Sequence, residues 1–100
     1  VTDFTKQVLD IIKSIPHGKV MTYGQIAAVA GNPRGARQVS RILNSMSGSH
    51  QLPWHRVINS KGGISLTGEG GFVQTNMLIS EGIEVQNKRV DLKKYLYQFD

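Results

Sequence analysis

The chain has 100 residues, 39% of them hydrophobic, with three prolines, no cysteine and a formal net charge of +5. That size and composition argue for one folded domain rather than a disordered chain, and the missing cysteine excludes disulfides, thiolate metal ligands and a cysteine nucleophile. No apolar run approaches the roughly 20 residues needed to cross a bilayer, and the amino terminus shows no signal-peptide pattern, so an intracellular protein with no membrane partner is expected.

In residues 2–15, Phe4, Val8, Ile12 and Ile15 recur at helical spacing before Pro16-His17-Gly18 breaks the run, which predicts an amphipathic core helix. Thr22 opens a second helix, with its hydroxyl placed to cap the start and Gln25 to reach back. Ile26, Ala27, Val29 and Ala30 carry that helix to Gly31. Asn32 followed by Pro33 reads as a cap and a first-turn proline, opening a third helix to about Met46 with Ala36, Val39, Leu43 and Met46 inward. On this reading Arg34, Arg37 and Arg41 share its outward face. Two short helices joined by a Gly-Asn-Pro turn, the second bearing arginines, have the pattern of a helix-turn-helix.

A polar Ser/Gly loop is expected over residues 45–51. Residues 52–58 and then Ile64 and Leu66, on either side of the turn at 59–63, predict two short strands, a small wing. The glycines at 68, 70 and 71 lead into a fourth helix from about Phe72 to Glu81, closed by Gly82. The tail reads as extended Ile83-Glu84-Val85, a turn near Asn87, and a short helix capped by Asp91 that continues through Tyr95 and Leu96. The expected fold class is mainly α: a winged helix-turn-helix DNA-binding domain with a small β wing, forming a single domain over residues 1–100.

Charge is unevenly distributed along the chain. No acidic residue lies between Asp10 and Glu69, while Lys13, Lys19, Arg34, Arg37, Arg41, Arg56 and Lys61 do. Each cation brought near a phosphate releases a condensed counterion, so this asymmetry favours a nucleic-acid partner. A merely solvated basic face and an acidic protein partner are the other readings. The histidines, His17, His50 and His55, have no metal-ligand spacing, so no metal or cofactor is expected.

The string Pro53-Trp54-His55-Arg56-Val57 resembles the Pro-Cys-His-Arg-Val active-site motif of the O6-alkylguanine-DNA alkyltransferases, in which the cysteine accepts the alkyl group. The resemblance spans nearly the whole chain. It includes Phe-Thr-x-x-Val from Phe4, Thr22-Tyr23-Gly24-Gln25, Ala30-Gly31-Asn32-Pro33, Ala36-Arg37-x-Val39 and Ser80-Glu81-Gly82. With Trp54 where the nucleophile stands, the chain resembles the alkyltransferase-like proteins, the non-enzymatic branch of that family. The fold implied is that of the C-terminal domain of the alkyltransferases.

The function implied is binding of O6-alkylguanine in double-stranded DNA, through the minor groove and by nucleotide flipping, without repair. Such binding flags the damage for nucleotide excision repair and blocks alkyltransferase access. The resemblance assigns a lesion pocket to Trp54, His55, Glu81, Tyr23, Pro53, Thr67 and Gly68. Within it His55 and Glu81 match the family's activation relay, and Thr67 and Gly68 stand where the enzymes often have a tyrosine and a serine over the guanine. Arg37 matches the arginine that fills the space of the extruded base, and Tyr23 the tyrosine that crowds the adjoining phosphate. Met46 stands where the enzymes usually have an asparagine. Arg34, Arg41, Arg56 and Lys61 are expected on phosphates.

Nucleotide excision repair proteins are the further partners implied, and the protein is expected to be a monomer. A cytoplasmic place is expected, at the nucleoid in a bacterium or in the nucleus of a eukaryote. Two other readings stand beside this one. One is a glycosylase-like enzyme using His55 and Glu81 as acid and base; the other is a plain helix-turn-helix regulator reading a sequence in the major groove.

Overall fold

Residues 2–98 are described by a computed structural model; of the expected span 1–100, Val1, Phe99 and Asp100 lie outside the described residues. Helix α1 (Asp3–Ser14) starts where Thr2 accepts a hydrogen bond from Thr5 N (3.1 Å), with Asp3 in the first turn and Lys13 in the last to suit the helix dipole. It buries Val8, Leu9, Ile11 and Ile12. Strand β1 (Met21–Thr22) runs directly into α2 (Tyr23–Val29) through the expected capping box. Gln25 N donates to Thr22 Oγ1 (3.0 Å) and Thr22 N to Gln25 Oε1 (3.4 Å).

Helix α3 (Ala36–His50) starts later than Asn32-Pro33 suggests and ends later than Met46. Asn32 organises a turn instead of the helix: its Oδ1 accepts from Arg34 N (3.3 Å) and its carbonyl from Gly35 N (2.9 Å). Gly35 then takes the N-cap place, and a Cβ there would lie 2.9 Å from the Phe4 ring. Residues 45–50, expected in a loop, stay helical. Ser45 Oγ donates to Arg41 O (2.9 Å) and Ser49 Oγ to Met46 O (3.4 Å), so the helix satisfies its own hydroxyls. Gln51, in the left-handed region at φ 52°, ends it.

The wing is present but is assembled from other residues than those expected. After a 3-10 turn at Trp54–Arg56, strand β2 (Val57–Ile58) pairs in parallel with β1, Met21 opposite Val57 and Thr22 opposite Ile58. It does not form a hairpin with Ile64 and Leu66. Asn59 Oδ1 accepts from Lys61 N (3.0 Å) and Gly63 N (2.8 Å), which curls the chain back. Residues 62–64 then meet the hairpin of β3 (Val85–Gln86) and β4 (Arg89–Val90), where Val90 N donates to Gly62 O and Ile64 N to Lys88 O, both at 2.8 Å. Asn87 (φ 52°) and Lys88 (φ 61°) make the two-residue turn, whose left-handed pair matches the twist of a hairpin.

Helix α4 (Gly68–Ser80) begins four residues ahead of Phe72, so the glycines there do not break the helix, and Gly71 among them serves close packing. Gly71 is buried, and a Cβ on it would lie 2.4 Å from Leu66 O. Glu81 and then Gly82 (φ 87°) close the helix as expected. Asp91 accepts from Lys93 N (3.0 Å) to cap the short α5 (Leu92–Tyr95).

Successive residues of a strand face opposite ways, and the short β1–β2 pair uses this to serve two cores. Met21 and Val57 join α1, α2 and α3 in one apolar cluster with Val8, Ile12, Ile26 and Val39. Ile58, with Val20 just ahead of β1, joins Ile64, Leu78, Ile83, Val90 and Tyr95 in the other. No helix among the described residues is long and apolar enough to cross a membrane.

Candidate nucleic-acid interface

Helices α2 and α3 pack against each other and against α1, leaving one side of α3 to solvent. Arg37 is exposed there in the first turn, and it borders a cavity of about 490 Å³. Ser40 and Asn44 continue the same side of α3 at i+3 and i+7. Tyr23 and Gly24, from the start of α2, form a second wall, and Asn59, Ser60, Ser65 and Leu66 a third. The capping box that starts α2 fixes Tyr23 at the cavity edge. Burial pushes its phenol pKa up, so it remains a neutral hydrogen-bond donor through the physiological range.

The other cations are placed differently from one another. Arg34 precedes α3 in the Asn32 turn and so does not share a helix face with Arg37, and Arg41 borders a separate groove with Thr2, Phe4, Thr5 and Gln38. Lys61 is exposed on the turn before the wing. Among the described residues, the side chains of Arg34, Arg37, Arg41 and Lys61 have no hydrogen-bond or ion-pair partner, leaving all four charges available to an external anion.

Arg56, expected on a phosphate, is turned into the protein. Its Nε and NH2 donate to the Glu81 carboxylate (2.8–3.1 Å), and its NH1 donates to Ile15 O (2.9 Å). Glu81 also accepts from Gly18 N (2.9 Å), and His55 Nε2 lies 2.6 Å from its Oε2. Burial raises the Glu81 pKa, but the hydrogen bonds from Arg56, Gly18 and His55 outweigh it and hold the group at about 2. The carboxylate is therefore ionised and serves as the hub joining the segment after α1, the 3-10 turn and the end of α4. His55 is buried. Its Nδ1 has no hydrogen-bond partner among the described residues, while Gln74 Nε2 donates to His55 O (3.1 Å) and secures the backbone.

Trp54 is half-buried on the 3-10 turn, packed against the first core and edge-on to His55, with ring centroids 6.2 Å apart and planes at 84°. Of the residues expected in a lesion pocket, the cavity holds Tyr23 alone, beside Arg37, which was expected on the DNA. Pro53, Trp54, His55, Glu81, Thr67 and Gly68 are not part of its wall. Thr67 and Gly68 are exposed at the start of α4, where Thr67 caps without a side-chain bond. Gly24, Ala36, Ser40, Asn44, Asn59, Ser60, Ser65 and Leu66 are the wall residues that sequence reasoning did not name as site residues; Gly24 and Ala36 adjoin Tyr23 and Arg37 in the chain. The helical spacing from Arg37 would have found Ser40 and Asn44, whereas Asn59, Ser60, Ser65 and Leu66 depend on the wing folding back. Among the described residues no group of three or more His, Cys, Asp or Glu side chains is arranged to hold a metal ion.

A cationic second helix, the short turn that joins it to the first, and a small wing define a winged helix-turn-helix DNA-binding domain. Residues 3–83 match the family described as 6-O-methylguanine DNA methyltransferase, DNA binding domain. The chain is 42% identical over 97 residues to the DNA base-flipping protein of Escherichia coli K12, covering 96% of this chain and 75% of that one. It is 37% identical over 103 residues to alkyltransferase-like protein 1 of Schizosaccharomyces pombe, covering 96% and 95%. It is also 42% identical over 82 residues to the methylated-DNA–protein-cysteine methyltransferase of Rattus norvegicus, but spans only 39% of that protein. The crystal structure of S. pombe Atl1 with damaged DNA containing O6-carboxymethylguanine superposes with a TM-score of 0.86 over 96% of this chain and 95% of that one. The chain belongs to the 6-O-methylguanine DNA methyltransferase DNA-binding family, on its alkyltransferase-like branch.

Proposed function

We propose that this protein binds O6-alkylguanine in duplex DNA by turning the nucleotide out of the stack and holding it, without removing the alkyl group. The observation that carries this reading is a scaffold kept without its nucleophile. His55, Arg56 and Glu81 are locked together beneath the Pro-Trp-His-Arg turn, and the chain has no cysteine to accept an alkyl group. Indole has no ionisable group near neutral pH, so Trp54 cannot replace a thiolate.

Extruding a nucleotide costs a few kcal/mol, and least for a base whose pairing is already spoiled, as alkylation at O6 does by removing the N1 proton. Arg37 then fills the vacated space, where a planar guanidinium stacks on the neighbouring bases. The neutral Tyr23 crowds the adjoining phosphate. Stacking of the turned-out base on Trp54 contributes about 1–3 kcal/mol, with Pro53, Thr67 and Gly68 assigned to the same lesion site by the family resemblance, outside the wall of the Tyr23–Arg37 cavity. Arg34, Arg41 and Lys61 hold phosphates without reading sequence; Arg56 leaves that set because its donors are engaged inside the protein. The S. pombe relative, crystallised with an O6-alkylated guanine, supports this assignment. The protein acts as a monomer, and its complex with the lesion serves as the signal to nucleotide excision repair and keeps alkyltransferase away.

A glycosylase-like reaction fits poorly. A general acid or base works best with a pKa near the operating pH, whereas Glu81 is held at about 2 by three protein partners. Titrating duplexes with and without O6-methylguanine at two salt concentrations, with analysis for free base, abasic sites and transferred methyl groups, tests the reading. Tighter binding to the lesion in any sequence, with no product, is expected. Equal affinity for both duplexes overturns it, as does any turnover product, and a preferred undamaged operator would establish the regulator instead.

A further inference from the structure

We infer that Asn44 reads a guanine in the minor groove beside the lesion, so that binding carries a one-sided sequence preference on top of lesion recognition. This rests on the proposed function and on the minor-groove approach that the family resemblance implies. On α3, Arg37, Ser40 and Asn44 follow one another along a single side, bordering the same cavity. Asn44 is exposed, and among the described residues its side-chain amide has no hydrogen-bond partner. It stands two helical turns beyond the arginine that enters the stack.

Helical rise converts that spacing into a position on DNA. Seven residues at 1.5 Å each place Asn44 about 10 Å from Arg37, and with base pairs 3.4 Å apart this is about three pairs from the vacated site. Ser40 falls about one pair away by the same arithmetic. The half-buried Ala36 and Ser40 keep this side of α3 low, which lets the backbone approach a groove only about 6 Å wide.

The chemistry of the amide then selects a base. In the minor groove an A·T pair offers only acceptors, whereas guanine offers its N3 acceptor and its N2 amino donor side by side. A carboxamide matches that pair of groups, with Nδ2 donating to N3 and Oδ1 accepting from the amino group. Arginine only donates, and a serine hydroxyl serves either way, so neither Arg37 nor Ser40 distinguishes the two kinds of pair as Asn44 does. Guanine is preferred at the Asn44 position, on one side of the lesion only.

Duplexes carrying O6-methylguanine, with G·C, A·T or inosine·C placed two or three pairs to either side, test this by measured Kd. Inosine keeps N3 and lacks the N2 amino group. About fivefold tighter binding to G·C than to inosine·C is expected on one side, with inosine·C and A·T alike. Asn44→Ala should erase the difference while leaving the preference for the lesion over intact guanine unchanged and the melting temperature unaltered. Equal affinity for G·C and inosine·C at all these positions overturns the inference, as does a preference that survives Asn44→Ala. Loss of lesion preference alone would sink the proposed function instead, so the two failures are distinguishable.

Discussion

Trp54 has a large apolar face, no ionisable group near neutral pH, and a position fixed by the turn that also carries His55 and Arg56. Replacing it should therefore remove selectivity and leave the phosphate contacts in place. In fluorescence anisotropy titrations, Trp54→Ala is expected to bind lesion and intact duplex alike, at close to the wild-type affinity for intact DNA. Arg37→Ala and Tyr23→Ala should each weaken lesion binding more than tenfold, a loss of about 1.4 kcal/mol or more. The exposed Arg37 has no partner among the described residues, so its variant should keep the melting temperature, whereas Tyr23→Ala should lower it because the ring packs against the first core, and its binding is read well below its melting transition.

Glu81 behaves in the opposite way, as a hub of stability. Its pKa falls from 4.5 to about 2 on folding, so the stability it contributes is complete above pH 4.5 and is lost as pH drops toward 2. Denaturant unfolding should show Glu81→Gln less stable than wild type by on the order of 3 kcal/mol at neutral pH, with the gap closing between pH 4.5 and 2. A gap that stays constant across that window would remove the ionised carboxylate from the account. The motif around Trp54 was legible because it is contiguous. The inward turn of Arg56 was not, because its partners, Glu81 and the Ile15 carbonyl, lie 25 and 41 residues away in the chain.

Elements set by local chemistry were readable, and those set by distant contacts were misplaced. Thr2, Thr22 and Asp91 cap the helices they precede, through bonds to residues two or three positions on. Asn32-Pro33 carries an equally good local signal, yet Asn32 closes a turn on Arg34 and Gly35, and α3 starts only at Ala36, with Phe4 of α1 against the glycine. Glycines mislead for a related reason, since the sequence does not say whether a glycine breaks an element or lets another backbone come close.

Gly48 and Gly71, both helical, separate the two cases. A Cβ on Gly48 would meet nothing within 4 Å, so Gly48→Ala should stabilise the protein by about 0.5–1 kcal/mol through helix propensity. A Cβ on Gly71 would lie 2.4 Å from Leu66 O, so Gly71→Ala should destabilise it by about 1–3 kcal/mol. Thermal melts of the two variants decide the matter. A destabilised Gly48→Ala would mean that residues 45–50 are not the helix described here.

Across the molecule, the sequence gradient of charge becomes a division of labour among cations that a net charge of +5 conceals. Arg34, Arg37, Arg41 and Lys61 are without internal partners among the described residues, Arg56 is locked to Glu81, and Lys94 is paired with Glu84 at 3.1 Å on the surface. A cation that reaches a phosphate releases counterions from DNA, so the salt dependence of binding counts the contacts made. With the three phosphate contacts proposed for Arg34, Arg41 and Lys61, log K should fall against log salt with a slope of about −2.7. Arg41→Gln should flatten that slope by about 0.9 on lesion and intact duplex equally, since a phosphate contact is indifferent to the base. Arg56→Gln should leave the slope unchanged and lower the melting temperature, because it strips a buried carboxylate of its cation. A slope change in Arg56→Gln, measured well below its melting transition, would return that arginine to the DNA surface and break the separation between residues that hold the pocket together and residues that hold the duplex.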